Sequence, residues 1–205
     1  MTPLRFGSAD RDLPGDRALV LAVVDPDVAA VETALAEGAD LLDLGVAGPD
    51  LIAEVRARHP RLVLAATPGD MYAQCEAGVD LLDGTGGDTE IPETAAQYGV
   101  GLIAPTAKAA DWSQWLQVPA AGVLLDCPPG PDLLRRLDQP TAWPRLITLP
   151  DNGFGDEALA LAALAAWRGV RVFRSREVPR VRQALEMAAS IHGSRPPAAV
   201  LRALT

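Results

Sequence analysis

Lysine is nearly missing from this chain: of its 18 basic residues only Lys108 is one, and the rest are arginines. With the heavy use of Ala, Pro and Gly, that bias points to a GC-rich genome more than to a function. Acidic residues outnumber basic ones, giving a formal net charge of −9 and a pI near 4.7. Such a balance speaks against nucleic acid and anionic membranes as partners, since both call for basic patches. No apolar run reaches the roughly 18 residues of a membrane span. Met1-Thr2-Pro3-Leu4-Arg5 lacks the apolar core of a signal peptide. The two cysteines, Cys75 and Cys127, form no CxxC, so a reduced, buried role in a cytoplasmic protein is expected, not a disulfide or metal site. HExxH, P-loop and Ser/His/Asp signatures are also absent. His59 and His192 follow the ends of expected helices, away from any strand end.

What the chain does have is a repeated passage. Ala36-Glu37-Gly38-Ala39-Asp40-Leu41-Leu42-Asp43 returns about forty residues later as Cys75-Glu76-Ala77-Gly78-Val79-Asp80-Leu81-Leu82-Asp83, and looser copies follow near Gly99, Gly122 and Gly169. Glycine just past a helix closes it in the left-handed conformation, and a strand apolar on both faces belongs to a buried parallel sheet. Strands are expected at about 18–25, 40–45, 62–67, 81–85, 101–106, 122–127, 145–150 and 170–175. Helices are expected at roughly 28–37, 49–58, 69–77, 91–98, 111–117, 131–138, 157–168 and 178–192. Eight strand–helix units make a (β/α)8 TIM barrel, with minimal loops because the usual length is about 250 residues. An open doubly wound sheet would usually carry a glycine-rich first turn, and Val24-Asp25-Pro26-Asp27 has no glycine. Residues 1–205 are expected to form one domain, with terminal arms at about 1–17 and 194–205.

In such barrels the active site lies at the C-terminal ends of the strands. The candidates there are Asp25 and Asp27 after strand 1, Asp43 on strand 2, Thr67 after strand 3, and Asp83 and Thr85 on strand 4. Asp126 ends strand 6, Asp151 and Asn152 follow strand 7, and Arg174 and Arg176 end strand 8. Carboxylates facing arginines could hold an amidine-like or pteridine-like heterocycle, and arginines near the last strand could receive a phosphate. Equally, Asp43, Asp83 and Asp126 could be a polar plug, with Arg174 paired among them. Asp132 and Asp156 are expected to cap helices, and Asp40 and Asp80 to be structural at the bottom of the barrel. Helix 157–168, apolar almost all round, suggests a second burial partner such as another copy of the chain.

From about 18 to 192 the chain resembles the dihydropteroate synthases, the pterin-binding barrels of folate biosynthesis. The resemblance rests on Glu37 to Gly45, Leu81-Leu82-Asp83-Gly84-Thr85-Gly86-Gly87, Leu124-Leu125-Asp126-Cys127-Pro128, Leu133 to Leu137, and Arg171-Val172-Phe173-Arg174-Ser175-Arg176-Glu177-Val178. It implies ligand-binding roles for Asp83, Asp126 and Arg174, with Asn152 and Arg176 beside them and Asp27, Asp43 and Thr67 as secondary candidates. The departures fall on the chemistry. The family's metal-binding asparagine is Val23, so no metal is assigned and Mg2+ is not supported. Its second loop is reduced to Gly45-Val46-Ala47-Gly48-Pro49, its strand 3 aspartate is lost at Ala65-Ala66-Thr67, its lysine is Asn152 and its closing histidine is Arg176.

The expectation is therefore a barrel protein of folate- or pterin-related metabolism that lacks dihydropteroate synthase activity and needs no cofactor. It would bind a pterin-like or anionic ligand, or act as a partner protein, and would form a homodimer through helices 7 and 8, as the resembled family does. Two alternatives stay open: other chemistry at the barrel top, for example methyltetrahydrofolate-type binding, or a synthase completed by a partner's loops.

Overall fold

In the computed structural model, residues 4–6, 12–13, 17–116, 122–151 and 155–193 are described. Eight strands form the barrel: β3 (Leu19–Val23), β4 (Leu41–Asp43), β5 (Val63–Ala66), β6 (Leu81–Asp83), β7 (Gly101–Pro105), β8 (Val123–Asp126), β9 (Arg145–Thr148) and β10 (Val172–Ser175). They pair in the order β10-β3-β4-β5-β6-β7-β8-β9 and close. Each barrel strand is followed by a helix: α1 (Val28–Ala36), α2 (Pro49–Arg58), α3 (Met71–Glu76), α4 (Glu90–Tyr98), α5 (Ala109–Leu116), α6 (Leu133–Leu137), α7 (Asp156–Trp167) and α8 (Val178–His192). This is the (β/α)8 barrel expected from the repeat.

The duplicated passage builds the same joint twice. Gly38 and Gly78 close α1 and α3 with φ of 98° and 102°, a region that side chains with a Cβ avoid. Asp40 then accepts the Val20 N–H at 2.9 Å and Asp80 the Leu64 N–H at 3.0 Å, each reaching the preceding strand. An arginine from the preceding helix of the ring completes each joint. Arg182 donates to the Gly38 carbonyl and to Asp40, and Arg56 to the Gly78 carbonyl and to Asp80. Asp80 is fully buried, so its charge is stable there only because both partners are present. The two aspartates are structural elements of the barrel floor.

Side chains two residues apart on a strand share a face, and alternate strands of such a barrel contribute layers of four. Leu41, Leu81, Leu124 and Val172, from β4, β6, β8 and β10, form one buried layer; Leu21, Ala65 and Ile103 lie above it. Two residues further along β4, β6, β8 and β10 stand Asp43, Asp83, Asp126 and Arg174. A barrel apolar at its centre thus ends in a layer made only of ionisable groups.

Residues 4–6 and 12–13, inside the expected N-terminal arm, are packed structure. β1 (Leu4–Arg5) and β2 (Asp12–Leu13) pair antiparallel, and Leu4 and Phe6 are fully buried in the inner core. Phe6 lies beside Gly101, where an added Cβ would come within 2.7 Å of its ring. The floor of the barrel lacks a side chain on β7 and takes one from the hairpin. The expected arm at 194–205 lies outside the described residues.

Two expected caps are also corrected. Asp132 stands at the start of α6 but makes no side-chain capping bond; it pairs with Arg135 at 3.2 Å on the surface. Asp156 is inside the first turn of α7 because Gly155 takes the cap position. There it favours the helix N-terminus by its charge. Cys75 and Cys127 are free and buried, and burial pushes the Cys75 thiol up to about 11.

Candidate functional site at the barrel mouth

Arg174 organises the mouth. Its Nη1 donates to Asp83 Oδ2 at 2.7 Å, and its Nη2 lies against Asp43 Oδ2. The other oxygen of each carboxylate is held by the turn that ends its own strand. Asp43 Oδ1 accepts the Gly45 N–H at 2.9 Å. Asp83 Oδ1 accepts the Thr85 N–H at 2.9 Å and the Thr85 hydroxyl at 2.6 Å. Asp43 is 1% exposed and Asp83 8%.

Asp126 completes the layer from β8, half-buried. Among the described residues its carboxylate accepts no hydrogen bond. Burial, with the Asp83 charge adding to it, raises its pKa above the ordinary 3.8. Burial likewise raises Asp43, although the Arg174 charge works against this. Burial opposes the Arg174 cation, but Asp43 and Asp83 together outweigh it, so the guanidinium is held charged more firmly than usual. With three carboxylates to one guanidinium, the layer favours protons and N–H donors over anions.

The other candidates stand around this layer without joining it. Arg176 is on the rim, donating to Asp25 at 3.0 Å and lying 3.7 Å from Asp151. Asp27, a secondary ligand candidate, caps α1 by accepting the Ala30 N–H at 2.9 Å; this accounts for its carboxylate without a ligand. Thr67 is tied through its backbone, its N–H to the Gly45 carbonyl and its carbonyl to Gln74. Asn152 lies outside the described residues.

Sequence reasoning passed over three residues that build the mouth. Gln74, 1% exposed, donates to the carbonyls of Ala47 and Thr67 and accepts the Gly69 N–H, joining the loops after β4 and β5. Lys108 donates to the Gly87 carbonyl at 3.2 Å and sits over the Trp112 ring. Trp112 packs so close to Gly84 that a Cβ there would come within 2.9 Å of its ring. The solitary lysine was the one available signal.

A metal of the kind the family resemblance implies does not fit these residues. Val23 offers no side-chain oxygen at the asparagine's place, and Asp43 and Asp83 already face a guanidinium. Among the described residues no group of three or more His, Cys, Asp or Glu side chains is placed to hold a metal ion.

No family model matches the chain. Curated relatives do. The inactive dihydropteroate synthase 2 of Mycobacterium leprae is 31% identical in an alignment covering 95% of this chain and 97% of the relative. Its Mycobacterium tuberculosis counterpart is 30% identical, covering 95% and 89%. The chain belongs to the dihydropteroate synthase family. Within it this member is short and divergent: the Mycobacterium leprae alignment runs over 283 positions against 205 residues here, so the surplus is relative sequence with no counterpart in this chain. Among solved structures, Mycobacterium tuberculosis Rv1207 superposes with a TM-score of 0.80 at 31% identity, covering 94% of this chain and 99% of that one. The 7,8-dihydropteroate synthase of Vibrio fischeri shares the fold, with a TM-score of 0.77 at 15% identity over 96% of this chain and all of that one.

Proposed function

We propose that this protein is a dihydropteroate synthase-like pseudoenzyme of folate- or pterin-related metabolism, working by binding and association, not by turnover. The observation that carries this reading is the top layer of the barrel. Its one cation, Arg174, is engaged by Asp43 and Asp83 and is not turned to an incoming anion. Condensation with loss of pyrophosphate needs a metal or cationic clamp on the leaving group and a cover against water. In the sequence, Val23, Asn152 and the short Gly45–Pro49 loop replace those parts of the resembled family. Removing one preorganised electrostatic contact costs about a hundredfold or more in rate, and several are absent together. That the curated relatives are inactive supports the same conclusion.

The ligand this mouth favours is a pterin-like heterocycle presenting N–H donors to Asp126, in preference to an anion. Association is the second part of the proposal: a homodimer through α7 and α8. Of the large apolar side chains left exposed, Leu164 and Trp167 lie on α7 and Met187 and Ile191 on α8. Such a shared patch is best buried against a second copy. Among the described residues no helix is long and apolar enough to cross a membrane, and the free, buried cysteines fit a cytoplasmic location.

Purified protein incubated with dihydropterin pyrophosphate, p-aminobenzoate and Mg2+ should form no dihydropteroate above the blank. The assay should be repeated with any co-purifying protein. Turnover by this chain alone, abolished by Asp126→Ala, would overturn the reading, and a monomeric mass by light scattering at micromolar concentration would remove the dimer.

A further inference from the structure

The two carboxylates around Arg174 owe their positions to their own turns. Gly45 fixes Asp43 Oδ1 and Thr85 fixes Asp83 Oδ1, and neither bond involves the arginine. Both inner oxygens, Oδ2 in each case, face one guanidinium, whose two terminal nitrogens divide between them. The spacing therefore matches the two ends of a planar fork of N–H donors. A spherical ion or a single ammonium cannot serve both carboxylates with the same directed geometry. Arg174 reaches this place from β10, two strands from β4 and opposite β6 in the ring, and its side chain is 16% exposed there.

We propose that the Asp43–Asp83 pair is a binding site for guanidine- or amidine-type groups, and that Arg174 occupies it from within as an autoinhibitory contact. This deepens the pseudoenzyme reading, on which it rests: the Asp43–Asp83 side of the mouth is filled by an internal stand-in for a ligand, while Asp126 is not engaged by Arg174. Because the turns and not the arginine hold the carboxylates, withdrawing Arg174 leaves a formed cleft with an unmet demand for a planar cation.

The test is chemical rescue of Arg174→Ala in the full chain. Two buried carboxylates without their partner should lower the thermal midpoint by about 10 °C. Guanidinium chloride at low millimolar concentration should then raise it saturably by about 3 °C. Sodium and tetramethylammonium chloride at equal concentration should not, and neither the wild type nor Arg174→Ala/Asp43→Asn/Asp83→Asn should respond. A folded Arg174→Ala protein that treats guanidinium and sodium alike overturns the proposal. If Arg174→Ala folds poorly, refolding yield replaces the midpoint. Recovery in guanidinium but not sodium supports the site, and equal failure in both salts while the triple variant folds rejects it. Turnover by the wild type in the condensation assay would sink the pseudoenzyme reading without altering this titration, so the two failures are separable.

Discussion

The floor and the mouth of this barrel use the same two residue types to opposite effect. On the floor, Asp40 and Asp80 each accept a strand N–H, and Arg182 and Arg56 each also bind a backbone carbonyl. The charges there are part of the main-chain hydrogen bonding, and they lock a helix exit to a neighbouring strand. At the mouth, among the described residues, Arg174 bridges side chains only, and the acids outnumber it. Burial makes Asp43 and Asp126 weaker acids than usual, a sign that the fold bears a cost for ionising them. At both ends the acids accept backbone N–H groups, at the mouth from Gly45 and Thr85. The difference is that the floor arginines are also tied to backbone carbonyls, so the floor pairs are part of the main-chain framework while the mouth pair is held by its acids alone.

The same substitution at both ends should break or sharpen this contrast. Asp80→Asn leaves Arg56 facing an uncharged amide inside the floor and should cost about 3 kcal/mol, roughly 9 °C in thermal midpoint. Asp43→Asn relieves burial and repulsion from Asp83 while weakening one pair, and should cost about 1 kcal/mol or less. If thermal melts show the mouth variant to be the more damaging, the contrast is wrong.

Asp126→Asn carries a smaller effect with a definite sign. A carboxyl group made a weaker acid by the fold holds its proton more tightly folded than unfolded. Its stabilising protonation is complete below the ordinary value of 3.8 and lost as pH rises through the higher folded value. The variant should therefore melt about 2 °C higher than wild type at pH 7, with the gain shrinking as pH falls toward the carboxylate range. A constant gain across pH would show that ionisation of Asp126 is not its source.

Much of the floor was legible in the sequence. Gly38 and Gly78 announce helix exits, the aspartates after them mark strand entrances, and apolar runs such as Leu102-Ile103-Ala104 and Val123-Leu124-Leu125 imply a buried parallel sheet. The layer at the mouth was legible residue by residue, because Asp43, Asp83, Asp126 and Arg174 each lie at or near a strand end. How they pair was not. Asp83 and Arg174 are 91 residues apart, and their contact exists only once β10 has closed on β3. The hairpin was missed because strands of two residues carry no periodicity, so Leu4 and Phe6 gave no pattern to read. The caps at Asp132 and Asp156 failed for a local reason: an acid near a helix start can serve the helix by charge alone, and the neighbouring Gly155 took the cap position of α7 instead.

The most direct test of the account asks whether the mouth still receives the leaving group of the family's reaction. Inorganic pyrophosphate titrated calorimetrically into the purified protein, with and without Mg2+, should give no saturable heat, because Arg174 is engaged by Asp43 and Asp83. Saturable binding that disappears in Arg174→Ala would contradict the account, since it would show an arginine free to clamp an anion at the barrel mouth.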